Sequence, residues 1–181
     1  MTNMLKDKVV LVTGAGGGIG REMALLAAKE GAKVVVNDLG GAVDGEGGGS
    51  TTPAQKVCDE IAAAGGKAVP NGDSVTDPAG AERMVKAAVE NFGRIDGVIN
   101  NAGILRDRIF HRMSHMDWKM VIDVHLNGAF NVSRAAANYF KEPKSGAFVH
   151  FTSTSGLVGN FGQANYSAAK MGIIGLSRSI A

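Results

Sequence analysis

"KVVLVTGAGGGIG", residues 8–20, sets a β-branched run directly against a cluster of glycines and then opens a helical pattern. Positions 8–13 read as a strand that is apolar on both faces, the mark of a strand buried in a parallel sheet. Gly14, Gly18 and Gly20 then allow a tight turn and let backbone N–H groups approach an anion at a helix N-terminus. "IGREMALLAAKEG" continues as a helix closed by Gly31. Strand, glycine turn and helix form the first unit of a βαβ fold. The spacing departs from G-x-G-x-x-G, and glycine turns without ligands are common, so the turn alone does not establish a binding site.

The alternation continues through the chain. "AKVVVND" (32–38) is a second strand, followed by the glycine-rich stretch "GGAVDGEGGGSTT" and a helix opened by Pro53 that runs to about Ala64. "KAVPNGD" (67–73) is a weaker third strand. Asp77-Pro78 supplies a cap and a first-turn proline for a helix to Phe92, stopped by Gly93. "IDGVIN" (95–100) is the fourth strand. Ser114 with Asp117 makes a capping box for one long helix to about Phe140. "GAFVHFT" (146–152) is the fifth strand, and a last helix starts near Ala164 and is still running at Ala181. Strands separated by helices predict a Rossmann-type, doubly wound parallel sheet in a three-layer α/β/α arrangement, as one domain over residues 1–181.

Composition narrows the function classes. The net charge of +2 is too small to argue for nucleic acid or an anionic membrane. The N-terminal apolar run is too short for a signal peptide, and no run approaches a membrane span. A soluble, unexported chain is expected, cytoplasmic, or peroxisomal in a eukaryote. Cys58 is the single cysteine, which fits a reducing compartment; its helical surroundings make it a buried helix position. The 26 glycines stand mostly where helices and strands end, so they punctuate structure.

Two further features bear on chemistry. Asp38 ends the second strand, twenty residues after Gly18. A carboxylate there accepts hydrogen bonds from adenosine ribose hydroxyls and repels a 2′-phosphate, which favours NAD over NADP. The bland reading is a turn residue before "LGG". In "NYSAAK" (165–170), Tyr166 and Lys170 are one helical turn apart, so they share a face. They are two polar groups at the solvent edge of an amphipathic helix, or a pair for proton transfer, with small neighbours leaving both accessible. A cation about 4 Å from a phenol, at an effective dielectric near 20, contributes roughly 4 kcal/mol, or about three pK units. That brings a tyrosine near neutrality, where it can exchange a proton with an alcohol.

With "TGAGGGIG" (13–20), "NNAG" (100–103) and "YSAAK" (166–170) in this order, the chain resembles the short-chain dehydrogenase/reductase family over essentially its whole length. "VVVNDLGG", the glycine-rich insertion, "NNAGILRDR" and "GNFGQANYSAAK" look like the (3R)-hydroxyacyl-CoA dehydrogenase branch found in peroxisomal multifunctional enzymes and bacterial relatives. The resemblance implies an oxidoreductase that moves a hydride between NAD and a secondary alcohol or ketone, with a 3-hydroxyacyl-CoA as small-molecule substrate.

It also implies roles. Tyr166 is the general base, and Lys170 lowers its pKa and holds the nicotinamide ribose. Ser153, thirteen residues before Tyr166, hydrogen-bonds the substrate oxygen; Thr152, Thr154 and Ser155 compete by composition. Gly14, Gly18, Ile19, Gly20 and Asp38 bind the cofactor, Asp73 sits near the adenine, and the backbone of Asn100 approaches the dinucleotide. Asn101 is architectural. His125 stands where the family usually has an asparagine supporting a water relay to the lysine. It is either that support or a satisfied structural histidine. Arg106, Asp107 and Arg108 form a solvated surface or a substrate-side loop. His111, His115 and His150 lack metal spacing.

Family members form homodimers or homotetramers, and the small residues of "AAANYF" and "AAKMGIIG" would allow close helix contact. The family also continues beyond this point with further strands and a substrate lid, so the chain is expected to be part of a longer polypeptide with an apolar edge strand left bare. Other readings within the resemblance are a 3-oxoacyl reductase and a dehydrogenase for steroids or other alcohols. Outside it stands a nucleotide-binding module without turnover.

Overall fold

Val9–Thr13 (β1) is buried at every position and forms the centre of a five-stranded sheet in a computed structural model that describes residues 3–47 and 52–181. The strand order is β3-β2-β1-β4-β5 and all pairings are parallel, with β2 at Lys33–Asn37, β3 at Lys67–Asn71, β4 at Gly97–Asn100 and β5 at Ala147–His150. Gly48, Gly49, Ser50 and Thr51 of the glycine-rich insertion lie outside the described residues.

The crossovers are helices: α1 (Gly18–Lys29), α2 (Thr52–Ala63), α3 (Pro78–Phe92), α4 (His115–Ile122) and α5 (Gly128–Lys141). Successive strand side chains point to opposite faces. Val9, Leu11 and Val35 pack with Met84 and Val85 of α3 and with Val132 and Ala136 of α5. Val10, Val12, Val34 and Val36 pack with Ala24 and Ala27 of α1 and with Val57 and Ile61 of α2. Each fully buried valine or leucine contributes about 1.5–3 kcal/mol, which makes these two clusters the main stabilising element. The apolar-on-both-faces pattern of residues 8–13 is therefore satisfied as expected, and Cys58 is buried in α2.

Local signals set the helix ends. Asp77 caps α3 by accepting from the N–H groups of Ala79 and Gly80, each at 3.0 Å, and Gly93 ends it at φ +80°. The Ser114–Asp117 capping box opens α4.

Two expectations are corrected and one element is added. The helix from Ser114 toward Phe140 is not one regular α-helix, because a π-helical turn at Asp123–Asn127 separates α4 from α5. The wider turn seats Gly128 where an added Cβ would lie 2.7 Å from Val75, and it turns His125 into the interior. The stretch between β5 and the last helix, to which the sequence assigns no element, holds a short helix, α6, at Thr154–Val158. Asp38 and Asp73 stand one and two residues beyond β2 and β3, because their side chains turn back to hold neighbouring backbone and side-chain donors.

The registers align Thr13 with Asn37, Asn37 with Asn71, and Asn100 with His150. The residues that follow these positions accordingly share one rim at the strand C-termini, where open α/β sheets bind ligands. Among the described residues no helix is long and apolar enough to cross a membrane.

Candidate active site

The glycine turn is fixed by the loop after β4. Thr13 Oγ1 accepts from the N–H groups of Asn101 and Ala102, both at 3.1 Å. Asn101 Nδ2 donates to the carbonyls of Thr13 and Gly14 at 3.1 and 3.0 Å. Asn101 is thus architectural, as expected. Gly14, at φ +62°, has no room for a Cβ, which would lie 2.8 Å from Ala102 Cα. A Cβ at Gly20 would fall on Gly14 O and Asn101 Nδ2. Gly17 and Gly18, in contrast, face open space. No side chain caps the N-terminus of α1, so the first-turn N–H groups, that of Ile19 included, are open to an anion.

Asp38 closes the next side. Its carboxylate accepts from Gly16 N–H and Gly40 N–H, each at 2.8 Å. Asp73 accepts from Asn71 Nδ2 and Arg83 Nε, each at 2.8 Å. Both acids line a cleft of about 300 Å³ whose walls include Gly14, Val75, Ala102 and Ile104, with Gly41, Ala42 and Gly45 of the insertion. Glycine turn, acid and apolar slot fit a dinucleotide's pyrophosphate, ribose and adenine.

The other side of the rim carries α7 (Ala164–Ile180). Lys170 Nζ lies 5.5 Å from the centroid of the Tyr166 ring, so the two side chains meet on one face. The expectation that both are accessible is corrected for the lysine, which is only 6% exposed. Its ammonium donates to Phe151 O at 2.8 Å, and burial pushes its pKa down to about 8. α6 packs against α7 so closely that a Cβ at Gly156 would lie 3.1 Å from Lys170 Cβ. Ser153 opens α6, its Oγ accepting from Ser155 N–H at 3.2 Å. The Thr152 hydroxyl instead donates to Lys170 O at 2.7 Å. Among the competing hydroxyls, that of Thr152 is therefore committed to the backbone.

His125 is buried between these parts. Nε2 lies 2.8 Å from Ile104 O, and the ring stands edge-on to Tyr166 at 5.1 Å and 88°. Burial, and then the charge of Lys170, push its pKa down to about 4, so the ring is neutral. Nε2 lies within reach of both the carbonyl of Ile104 and its N–H, the latter at 3.2 Å, and Nδ1 is buried with no partner among the described residues. Lys170, His125, Asn100 and Thr13 border a small space of about 10 Å³, the size of one water.

Three residues escape a sequence reading. Ser133 receives a hydrogen bond from Asn100 Nδ2 at 3.0 Å and lies 3.1 Å from His150 Nε2, so the Asn100 side chain serves structure. Asn165 is fully buried and accepts from Tyr166 N–H at 2.8 Å. An asparagine at a core-facing helix position is a signal for it; Ser133 and His150 give none.

The profile of the short chain dehydrogenase family matches residues 8–181. The chain is 55% identical over 177 residues to a protein of Mycobacterium tuberculosis named as a short-chain type dehydrogenase/reductase, covering 98% of this chain and 62% of that one. It is 56% identical over 174 residues to peroxisomal multifunctional enzyme type 2 of Mus musculus, covering 96% of this chain and 23% of the relative. A crystal structure of a short chain dehydrogenase from Mycobacterium avium superposes with a TM-score of 0.89 at 48% identity, covering 98% of this chain and 65% of that one.

Proposed function

The chain belongs to the short chain dehydrogenase family, and from that premise we propose that it carries the dinucleotide-binding and catalytic part of an NAD-dependent oxidoreductase acting on 3-hydroxyacyl thioesters of coenzyme A. The observation that carries the chemistry is the Tyr166–Lys170 pair on one face of α7, with the ammonium 5.5 Å from the ring centroid. The likeness to peroxisomal multifunctional enzyme type 2 supports the substrate class.

The dinucleotide is held by the chain as follows. Gly14, Gly18, Ile19 and Gly20 present backbone to the pyrophosphate. Asp38 receives the adenosine ribose hydroxyls, for which its carboxylate is already oriented by Gly16 and Gly40. A 2′-phosphate would meet that carboxylate at close range, which favours NAD. Asp73 would flank the adenine, and the Asn100 backbone would approach the dinucleotide.

When bound, the dinucleotide supplies the hydride acceptor in oxidation and the donor in reduction. Ser153 donates a hydrogen bond to the substrate oxygen and fixes it toward Tyr166. In oxidation the C–H bond at the carbinol carbon breaks with its electron pair, the C=O bond forms, and the hydroxyl proton passes to the Tyr166 oxygen. Reduction returns that proton to the alkoxide. Lys170, held by Phe151 O, keeps positive charge beside the Tyr166 ring and would hold the nicotinamide ribose. His125 cannot serve as a cation near neutrality; it fixes the Ile104 wall and supports the Tyr166 ring. Its Nδ1 is the atom through which it would hold a relay water.

Replacing Tyr166 by Phe on the full-length protein is expected to reduce turnover by at least about 10³-fold while changing the dissociation constant for NAD by less than about threefold. Turnover that survives in Tyr166→Phe overturns the mechanism. A preference for NADP over NAD in the wild type overturns the cofactor assignment.

A further inference from the structure

We propose that Arg106 is a positioning residue that fastens the adenosine-side wall of the cleft to the helix carrying Tyr166. The inference rests on the reading of the cleft as a dinucleotide site. Arg106 belongs to no part of that reading, yet its side chain is only 14% exposed and all its arms are engaged. Nε donates to Asp44 O at 2.8 Å, one terminal nitrogen pairs with Glu46, and the other donates to Asp117 Oδ1 at 3.2 Å. Asp44 and Glu46 lie in the insertion after β2, whose Gly45 lines the cleft. Asp117 belongs to the capping box of α4.

The backbone of the same loop completes the link. Leu105 N–H donates to Val43 O at 2.9 Å, so the loop and the insertion also share a main-chain bond. Arg106 O accepts from Asn165 Nδ2 at 2.9 Å, and that amide also donates to Asp117 O at 3.1 Å. Asn165 Oδ1 in turn holds Tyr166 N–H. Two residues on, Arg108 N–H donates to Gly162 O at 2.8 Å, just before α7. Adenosine-side wall and catalytic helix, distant in sequence, are thus tied through one planar fork and its own carbonyl. A lysine offers one compact point charge in place of the fork, its donors all leaving a single nitrogen.

The two sides make different contributions. Glu46 is exposed, and its pair with Arg106 positions only the insertion, so Glu46→Ala is expected to raise KM for the dinucleotide about two- to fivefold, with a smaller fall in kcat. Arg106→Ala releases both sides. It is expected to raise that KM at least about tenfold and to lower kcat as well, with Arg106→Lys intermediate. In the Arg106→Ala background, Glu46→Ala should add no further change, and in the wild type its effect should shrink in 1 M salt as the exposed pair is screened.

The measurements are steady-state kinetics and dinucleotide titration on the full-length protein, with circular dichroism to show that each variant is folded. An unchanged KM in folded Arg106→Ala overturns the proposal, as does a Glu46→Ala effect that persists in the Arg106→Ala background. If Arg106→Ala does not fold, Glu46→Ala and Arg106→Lys carry the test: an unchanged dinucleotide KM in both overturns it. Failure of the dinucleotide reading shows separately, as a wild-type protein that binds neither NAD nor NADP.

Discussion

Lys170 is a cation placed where solvation is poor, and that placement has a measurable cost. Its pKa falls from 10.5 to about 8 on folding because burial disfavours the charged form. Between those values the unfolded chain binds more protons than the native one, so this residue makes stability rise with pH from about 8 to 10.5. At pH 7 the charged, buried ammonium lowers stability by an amount on the order of a few kcal/mol, its bond to Phe151 O included. Lys170→Met is therefore expected to abolish turnover while unfolding about 1–2 kcal/mol harder at pH 7 in urea, and to lose the rise in stability above pH 8. A variant that is both inactive and clearly less stable would make Lys170 a structural residue. The spacing of Tyr166 and Lys170 was legible because a helix imposes it. The burial of the lysine was not, because Phe151 O and α6 come from a different part of the chain. His125 shows the same divide: its register was readable, but its bond to Ile104 O and its edge-on contact with Tyr166 depend on the π-helical turn.

At the scale of elements, two positions at helix N-termini have different consequences. Asp77 caps α3 at the surface, and losing the cap leaves first-turn N–H groups to water. Asp77→Ala is expected to cost about 1 kcal/mol of stability and leave dinucleotide affinity unchanged. Gly20 lies where α1 meets the β1 turn, and a methyl group there falls on Gly14 O and Asn101 Nδ2. The first is backbone and the second is a side-chain amide held by the carbonyls of Thr13 and Gly14, so the turn must move. Gly20→Ala is expected to cost about 2 kcal/mol or more and to weaken dinucleotide binding at least about tenfold. Urea unfolding and dinucleotide titration on both variants test the contrast; equal affinities would show that the turn does not bind the cofactor. The βα alternation, the caps and the glycine stops were all readable, because each is a local pattern with a local cause. The π-helical turn and α6 were not, because nothing within "IDVHLNG" or "TSTSG" marks a departure from ordinary helix or loop. Their reasons are the close seating of Gly128 on Val75 and of Gly156 on α7.

At the scale of the whole molecule, the sheet is unevenly finished. β3 forms one edge and carries Pro70, a residue suited to edges. β5 forms the other edge and pairs only with β4 among the described residues. It is short, uncharged and partly apolar, with Val149 45% exposed and Ala147 exposed beside it. The M. tuberculosis relative is longer, the chain spanning 62% of its length. An open, uncharged edge is a template for pairing with another copy. Helix faces offer a different contact, since Phe130 and Tyr139 of α5 and Met171 of α7 are also exposed. A charge on the edge separates the two. Prepared as these 181 residues, the chain is expected to elute with an apparent mass that grows with concentration. Val149→Lys should suppress that growth with an unchanged circular dichroism spectrum, because a lysine on an edge strand opposes sheet extension. Association that survives Val149→Lys unchanged assigns self-contact to the helix faces instead, and Phe130→Lys then becomes the variant that must abolish it.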